Sequence, residues 1–134
     1  MKKVDGFERI HYHGIIEGSD KKDLFARAHI FCLPTYYSYY EGQPMSILEA
    51  YASGCPVITT DHGGIRDIFK DGVNGFEVQK KSSKSIKLVI EKIIDNIGQL
   101  LPIALSNRKT AHNKYRKSNH ISSMLAIIEK ERFL

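Results

Sequence analysis

The stretch from Glu41 to Thr60, Glu-Gly-Gln-Pro-Met-Ser-Ile-Leu-Glu-Ala-Tyr-Ala-Ser-Gly-Cys-Pro-Val-Ile-Thr-Thr, constrains the fold more than any other. Glu41-Gly42-Gln43 reads as a loop, because Gly42 permits backbone angles closed to other residues. Pro44 suits the first position of a helix, where its missing N–H costs nothing. Met45 to Ser53 are good helix formers, with Met45, Leu48 and Ala52 on one apolar face. Gly54 is a stop, Pro56 blocks continuation, and Val57 to Thr60 reads as a short buried strand. A loop therefore feeds a helix, and the helix feeds a strand. The helix N-terminus offers free N–H groups and positive potential, which suits a phosphate. Glu41 precedes that point and Glu49 follows it by a little over a turn, so both carboxylates could accept from sugar hydroxyls. The plainer reading of Glu49 is a surface residue that helps the helix dipole by roughly 0.3–1 kcal/mol.

The rest of the chain continues the alternation. Phe7 to Tyr12 reads as a strand ending at His13-Gly14. Ser19 is a candidate N-cap, with Asp23 as its reciprocal partner, for a helix through Leu24, Phe25 and Ala28. Ile30 to Leu33 is a continuous apolar run, as expected for a parallel strand covered on both faces. Tyr36-Tyr37-Ser38-Tyr39-Tyr40 follows, either a platform for sugar faces or a loop packed by its own rings. After the central stretch, Thr60 leads into His62-Gly63-Gly64, a strand end, two glycines and a short helix, again an anion-friendly geometry. Lys70 to Gly75 is a turn cluster and Phe76 to Val78 a last short strand. From Ser82 or Ser83 the pattern turns helical: Ile86, Val89, Ile90, Ile93, Ile94 and Ile97 recur at helical spacing until Gly98. Further helices are predicted from Pro102 to about Lys117 and from Ile121 to Phe133. The alternation implies an α/β fold, a doubly wound, Rossmann-like parallel sheet with right-handed crossovers. Ligands of such sheets bind beyond the C-terminal strand ends, where Glu41, His62 and Gly63 fall.

With 134 residues the chain is long enough for one domain and one core. No apolar run approaches the ~20 residues of a membrane span, and Met1-Lys2-Lys3 leads into no signal-peptide core. Cys32 and Cys55, in or beside predicted buried strands, read as reduced core thiols, which fits a cytoplasmic protein. They lack metal-ligand spacing, and His11 and His13 have no carboxylate or cysteine partner at sensible spacing, so no metal site is expected. The net charge of +5 is uneven. Lys80, Lys81, Lys84 and Lys87 cluster, and Arg108, Lys109, Lys114, Arg116 and Lys117 form a second group. The two readings are solvated helix faces, or attraction to an anionic membrane surface or lipid-linked acceptor, with peripheral membrane association. Nothing calls for nucleic acid.

Glu, seven residues, Glu-Ala, then Gly-x-Pro-Val-Ile resembles the C-terminal nucleotide-sugar domain of retaining GT-B glycosyltransferases, the group 1 family. Within it the chain is most similar to bacterial enzymes of capsule, exopolysaccharide and lipopolysaccharide assembly. The resemblance covers about Phe7 to the C-terminus and is strongest from Leu33 to Phe76. Asp67 stands where the family's Gly-Gly-x-x-Glu segment has its Glu. The resemblance implies that Glu49 accepts from the ribose diol and that Glu41 sits near the donor sugar. It implies that Gly42, Gln43, Pro44, Met45 and Ser46 surround the diphosphate, with His62 and Gly63 beside them. The donor would be a nucleotide diphosphate sugar, a UDP-sugar first, with no further cofactor, and the acceptor a glycan or lipid-linked glycan.

By the same resemblance, residues 1–134 form a single GT-B C-terminal domain, truncated, with a β/α core over 1–80 that carries the donor motif and C-terminal helices over 81–134. The facing N-terminal domain is not in the sequence, nor is the basic pair that neutralises the donor diphosphate in the family. The expectation is a segment that is inactive alone and needs the missing N-terminal domain or a partner chain. The other expectation is a non-catalytic sugar-nucleotide or interaction module derived from that fold.

Overall fold

The computed structural model describes residues 9–36 and 42–131. Three parallel strands, β1 (Phe31–Leu33), β2 (Val57–Thr59) and β3 (Gly75–Glu77), lie in that order across the sheet. Phe31 pairs with Val57 and Val57 with Gly75, so the strands run in step. β2 is central and wholly buried, the reason Val57-Ile58-Thr59 carries no alternation. At Gly75 a Cβ would stand 1.8 Å from the Val57 carbonyl oxygen, so only glycine lets β3 approach β2.

Helix α1 (Gly18–Arg27) precedes β1, and α2 (Met45–Ser53) joins β1 to β2. α2 begins after Pro44 and ends on Gly54, whose φ of +80° is the left-handed cap that glycine accepts without strain. A short 3-10 helix, Gly63–Asp67, follows β2. After β3 come α3 (Ser83–Asp95), α4 (Leu100–Lys114) and α5 (Lys117–Glu131). The Ser82 side chain caps α3 by accepting from the Ser85 N–H at 3.1 Å. Pro102 falls in the first turn of α4, where no helical partner for its nitrogen is missed. That explains why α4 begins two residues before the predicted Pro102 start.

The core has two parts. Ile47, Ala50, Tyr51, Cys55, Val57, Ile65, Ile68 and Ala111 cluster beneath α2, and Ile58, Val78, Ile93 and Leu100 beneath α3. A buried polar node fastens α4 to the first part. Asn107, fully buried, donates to the Cys55 carbonyl at 3.0 Å and to the Asn74 carbonyl at 2.9 Å. Its Oδ1 accepts from the Asn74 side-chain amide at 2.9 Å, and the Asn74 Oδ1 accepts from the Lys70 N–H at 3.0 Å. The buried Tyr51 hydroxyl donates to the Ile68 carbonyl at 3.1 Å, and burial raises its pKa further above the usual tyrosine value.

Several expectations are corrected. Arg9 to His13 form no strand, with Ile10 and Tyr12 exposed, because no described strand lies alongside to share hydrogen bonds; Phe7 lies outside the described residues. β1 is not covered on both faces: it borders the sheet, and Cys32 is exposed rather than a core thiol. Cys55 is buried, and burial raises its thiol pKa. Ser19 does not cap α1; Glu17 holds the cap position and the Ser19 hydroxyl donates to Asp20. On α2 the buried residues are Ile47, Ala50 and Tyr51, while Met45 and Ala52 are exposed and Leu48 is half-buried. Both faces of this short helix are apolar, and the sheet takes the one carrying Ile47 and Tyr51. Of the α3 isoleucines only Ile93 is buried, since the sheet covers one narrow stripe; Ile94 faces outward, and Ile97, exposed, lies beyond the end of α3 in a 3-10 turn, Ile97–Gln99. α5 starts at Lys117 rather than Ile121.

Candidate active site: a helix N-terminus beside a cleft

The site lies where the parallel sheet ends at its C-terminal edge. Two hydroxyls pin that edge. The Thr59 hydroxyl donates to the Leu33 carbonyl at 2.9 Å, and the Thr60 hydroxyl donates to the Thr35 carbonyl. The chain leaving β1 is thereby fixed against the chain leaving β2. Two stretches predicted to face a ligand meet here. A Cβ on Gly64 would stand 2.9 Å from the Gly42 carbonyl carbon and 3.1 Å from the Gln43 nitrogen. Glycine at 64 thus allows the 3-10 helix and the loop before α2 to touch backbone to backbone. Gly63, with φ +52°, supplies the turn that starts the 3-10 helix, and His62 stands at its N-cap position.

Gly42 and Gln43 thus lie against Gly64, next in sequence to His62 and Gly63, while Met45 and Ser46 open α2 after Pro44, Met45 bordering a groove toward α4 and Ser46 a cleft toward α1. No described side chain caps α2, and with the Ile47 N–H bonded to the Pro44 carbonyl at 3.0 Å, the Met45 and Ser46 N–H groups are the ones a ligand could take. Asp61 pairs with Arg66 across this turn, and Asp67 is exposed. Tyr37 to Glu41 lie outside the described residues, so Glu41 and all but the first of the clustered tyrosines are not placed. Tyr36 is placed at the exit of β1, with the Lys81 ammonium 5.2 Å from its ring centre.

Glu49 occupies the outward face of α2. Its Oε1 accepts from the Lys21 ammonium of α1 at 2.6 Å, with the two side chains about 40% exposed. Beside this pair opens a cleft of about 450 Å³ between α1 and α2. Ile16, Leu24, Phe25 and Phe31 give it apolar walls, and Lys21, Ser46 and Glu49 give it polar ones. A few polar groups on apolar walls is the usual make-up of a small-molecule site. An ionised carboxylate has about four acceptor positions, so Glu49 can hold Lys21 and still accept from ligand hydroxyls. Lys21 is a residue that the sequence reading missed. Its only sequence signal is a lysine in the first turns of a helix, and its partner lies 28 residues away. Asn107 was missed as well, although Ile103, Asn107 and Ala111 recur every fourth residue and mark a polar position on a buried stripe. Among the described residues no group of three or more His, Cys, Asp or Glu side chains could hold a metal, and no helix is long and apolar enough to cross a membrane.

Parallel strands, flanking helices and a cleft at the C-terminal sheet edge make a Rossmann-like α/β unit. The family model described as "Glycosyl transferases group 1" matches residues 1–113, and the chain belongs to that family. It is 30% identical over 111 residues to an uncharacterized glycosyltransferase of Methanocaldococcus jannaschii, covering 83% of this chain and 28% of that protein. It is 34% identical over 97 residues to the capsular polysaccharide biosynthesis glycosyltransferase CapM of Staphylococcus aureus, covering 72% of this chain and 25% of that protein. The chain thus spans little more than a quarter of these relatives' length. Among solved structures it is similar to the C-terminal domain of the glycosyl transferase group 1 family protein LpcC from Francisella tularensis. The TM-score is 0.63 at 31% identity, covering 78% of this chain and 53% of that one. It shares its fold with Anabaena HepE, solved in complex with UDP, with a TM-score of 0.71 at 22% identity, covering 87% of this chain and 31% of that one. The fold is the Rossmann-like parallel sheet of GT-B glycosyltransferases, present in part and followed by C-terminal helices.

Proposed function

We propose that this chain is the donor-binding part of a glycosyltransferase that moves a hexose from a nucleotide diphosphate sugar to a glycan or lipid-linked acceptor, with retention at the anomeric carbon. The observation that carries the proposal is the junction of three features: the uncapped α2 N-terminus, the Gly42–Gly64 backbone contact, and the cleft that opens beside Glu49. In this reading the nucleoside enters the cleft, with Ile16 and Leu24 against the base and Glu49 accepting from the ribose diol. The diphosphate lies on the N–H groups of the first turn of α2, and Glu41 serves the sugar. The bond between anomeric carbon and diphosphate breaks and one to an acceptor oxygen forms, so the developing charge falls on the diphosphate, where fixed N–H dipoles stabilise it. The UDP and UDP-glucose complexes of Anabaena HepE, a protein of the same fold, support a uridine nucleotide as the ligand. Names such as amylovoran and capsular polysaccharide biosynthesis glycosyltransferase among the relatives support a role in surface polysaccharide or glycolipid assembly.

The chain alone is proposed to bind donor without transferring sugar. Without a facing acceptor domain the reactants are not held in near-attack geometry, an effect worth roughly 7–11 kcal/mol. A thermal-shift series with UDP, GDP and ADP and their sugars tests the reading. A ligand at 100 times its dissociation constant adds ~2.7 kcal/mol to stability, and UDP is expected to give the largest rise. No shift with any nucleotide would overturn it in favour of a non-catalytic interaction module. Radiolabelled sugar transfer by the chain alone would refute the proposed inactivity.

A further inference from the structure

Among the described residues Lys81 is the one other than glycine with a positive φ, +59°. A side chain is strained in that region, and the strain persists only where the surroundings hold it. Two bonds hold it here. The Gln79 N–H donates to the Ser85 hydroxyl at 3.0 Å, and the Ser82 hydroxyl accepts from the Ser85 N–H at 3.1 Å. The turn from Gln79 to Ser82 is thereby tied at both ends to the start of α3. Glycine would take this backbone without strain, yet the position carries a long cation. That cation reaches across the C-terminal edge of the sheet. Its ammonium lies 5.2 Å from the ring centre of Tyr36. Lys81 is on the chain leaving β3 and Tyr36 on the chain leaving β1, with β2 between them. Two strand spacings are about 9–10 Å, so the contact spans the chain that leaves β2 through Thr60 toward His62. The same chain carries Gly64 to its contact with Gly42 and Gln43 before α2. Tyr36 is 53% exposed, and a cation over so open a ring is held weakly.

We propose that Lys81 is a further donor-binding residue, whose ammonium leaves the Tyr36 ring for a phosphate of the nucleotide diphosphate at the α2 N-terminus. The assignment deepens the donor reading above and rests on it. The Met45 and Ser46 N–H groups offer dipoles to a diphosphate but no full charge. A lysine supplies that charge as a compact ammonium on a flexible stem, so it can move from a ring face to an anion. Other cations nearby are committed: Arg66 pairs with Asp61 and Lys21 with Glu49. Lys81 has no carboxylate partner among the described residues. The strained backbone fits this role, since it aims the stem toward β1 rather than into solvent beyond β3.

Calorimetric titration of UDP into the parent chain, Lys81→Gly and Lys81→Gln tests it, with Lys84→Gln as a control for net charge. Both Lys81 variants are expected to weaken UDP about fivefold, and Lys84→Gln to change it less than about twofold. Raising the salt is expected to shrink the difference between the parent and Lys81→Gln. Uridine, which carries no phosphate, is expected to bind the parent and both Lys81 variants alike in ligand-observed NMR. Lys81→Gly gives a second readout. Glycine relieves the backbone, so its melting temperature is expected to stay at or above the parent's while its UDP affinity falls. A lysine that only shapes the turn would not give that combination. Equal UDP affinity in the parent and both Lys81 variants, an equal loss in Lys84→Gln, or a loss of uridine as large as that of UDP would overturn the assignment and leave the donor reading standing. A parent chain that binds no UDP would overturn both.

Discussion

Two of the polar contacts that join distant elements, the Asn74–Asn107 node and the Lys21–Glu49 pair, have opposite surroundings. The Asn74–Asn107 node is sealed under α4, with Asn107 at 0% exposure and its side-chain amide and carbonyl oxygen all engaged. The Lys21–Glu49 pair joins α1 to α2 across 28 residues but remains about 40% exposed. In the buried node a lost partner cannot be replaced by water, so the full desolvation cost of the stranded groups is felt. In the open pair water substitutes readily, and an exposed ion pair contributes only about 0–1 kcal/mol. The first contact holds the scaffold; the second leaves a carboxylate oriented and reachable. A stable node and an adjustable pair, both near α2, suit a part that must hold one shape while exchanging a ligand.

The sharpest way to break this contrast is at Asn107. Asn107→Ala strands the Cys55 carbonyl and the Asn74 amide and leaves the Asn74 carbonyl with the Val57 N–H alone, and is expected to cost about 3 kcal/mol in urea unfolding. A loss near zero would mean that water enters and the node is not sealed. Next is Gly64→Ala, whose Cβ presses on the Gly42 backbone. It is expected to cost about 1 kcal/mol in stability and to weaken UDP binding by displacing the loop before α2. Unchanged UDP affinity would separate that contact from the site. Lys21→Ala should fall within about 0.5 kcal/mol of the parent in stability while still altering UDP affinity, because it frees Glu49. Smallest of all is removal of α5 after Lys117. No side chain of that helix is buried among those described, so the melting temperature is expected to stay within a degree or two, as for other changes that remove no buried contact.

The same contrast explains what could be read from sequence. The loop, helix and strand from Gly42 to Thr59 were legible because their punctuation is local: Pro44 opens, Gly54 and Pro56 close, and β-branched residues follow. Ser82 announced α3 in the same way. The buried face of α2 was not legible, since Met45 and Leu48 are as apolar as Ile47, and only the sheet decides between them. Asn107 was overlooked because its partners, Cys55 and Asn74, are brought together by tertiary packing. Lys21 was overlooked for the same reason. Over its described part, Arg9 to Tyr12, the strand expected before His13 is absent, because apolar residues and a closing glycine do not supply a neighbour to pair with. The helix start after β1 was legible too, because Pro44 and the loop before it are local cues, and the approach of Gly64 to Gly42 and Gln43 at that start was not, because packing alone brings the two loops together.

Glu49 joins both halves of the comparison, since it stands on the buried scaffold's helix and reaches into the cleft. Isothermal titration of UDP into the parent chain, Glu49→Gln and Glu49→Ala tests its role most directly. Loss of two ribose hydrogen bonds to a charged acceptor, each worth roughly 1.5–3 kcal/mol, should weaken UDP at least tenfold in both variants, with melting temperatures near the parent's. Unchanged UDP affinity in Glu49→Ala would contradict the assignment and leave Glu49 as a surface partner of Lys21.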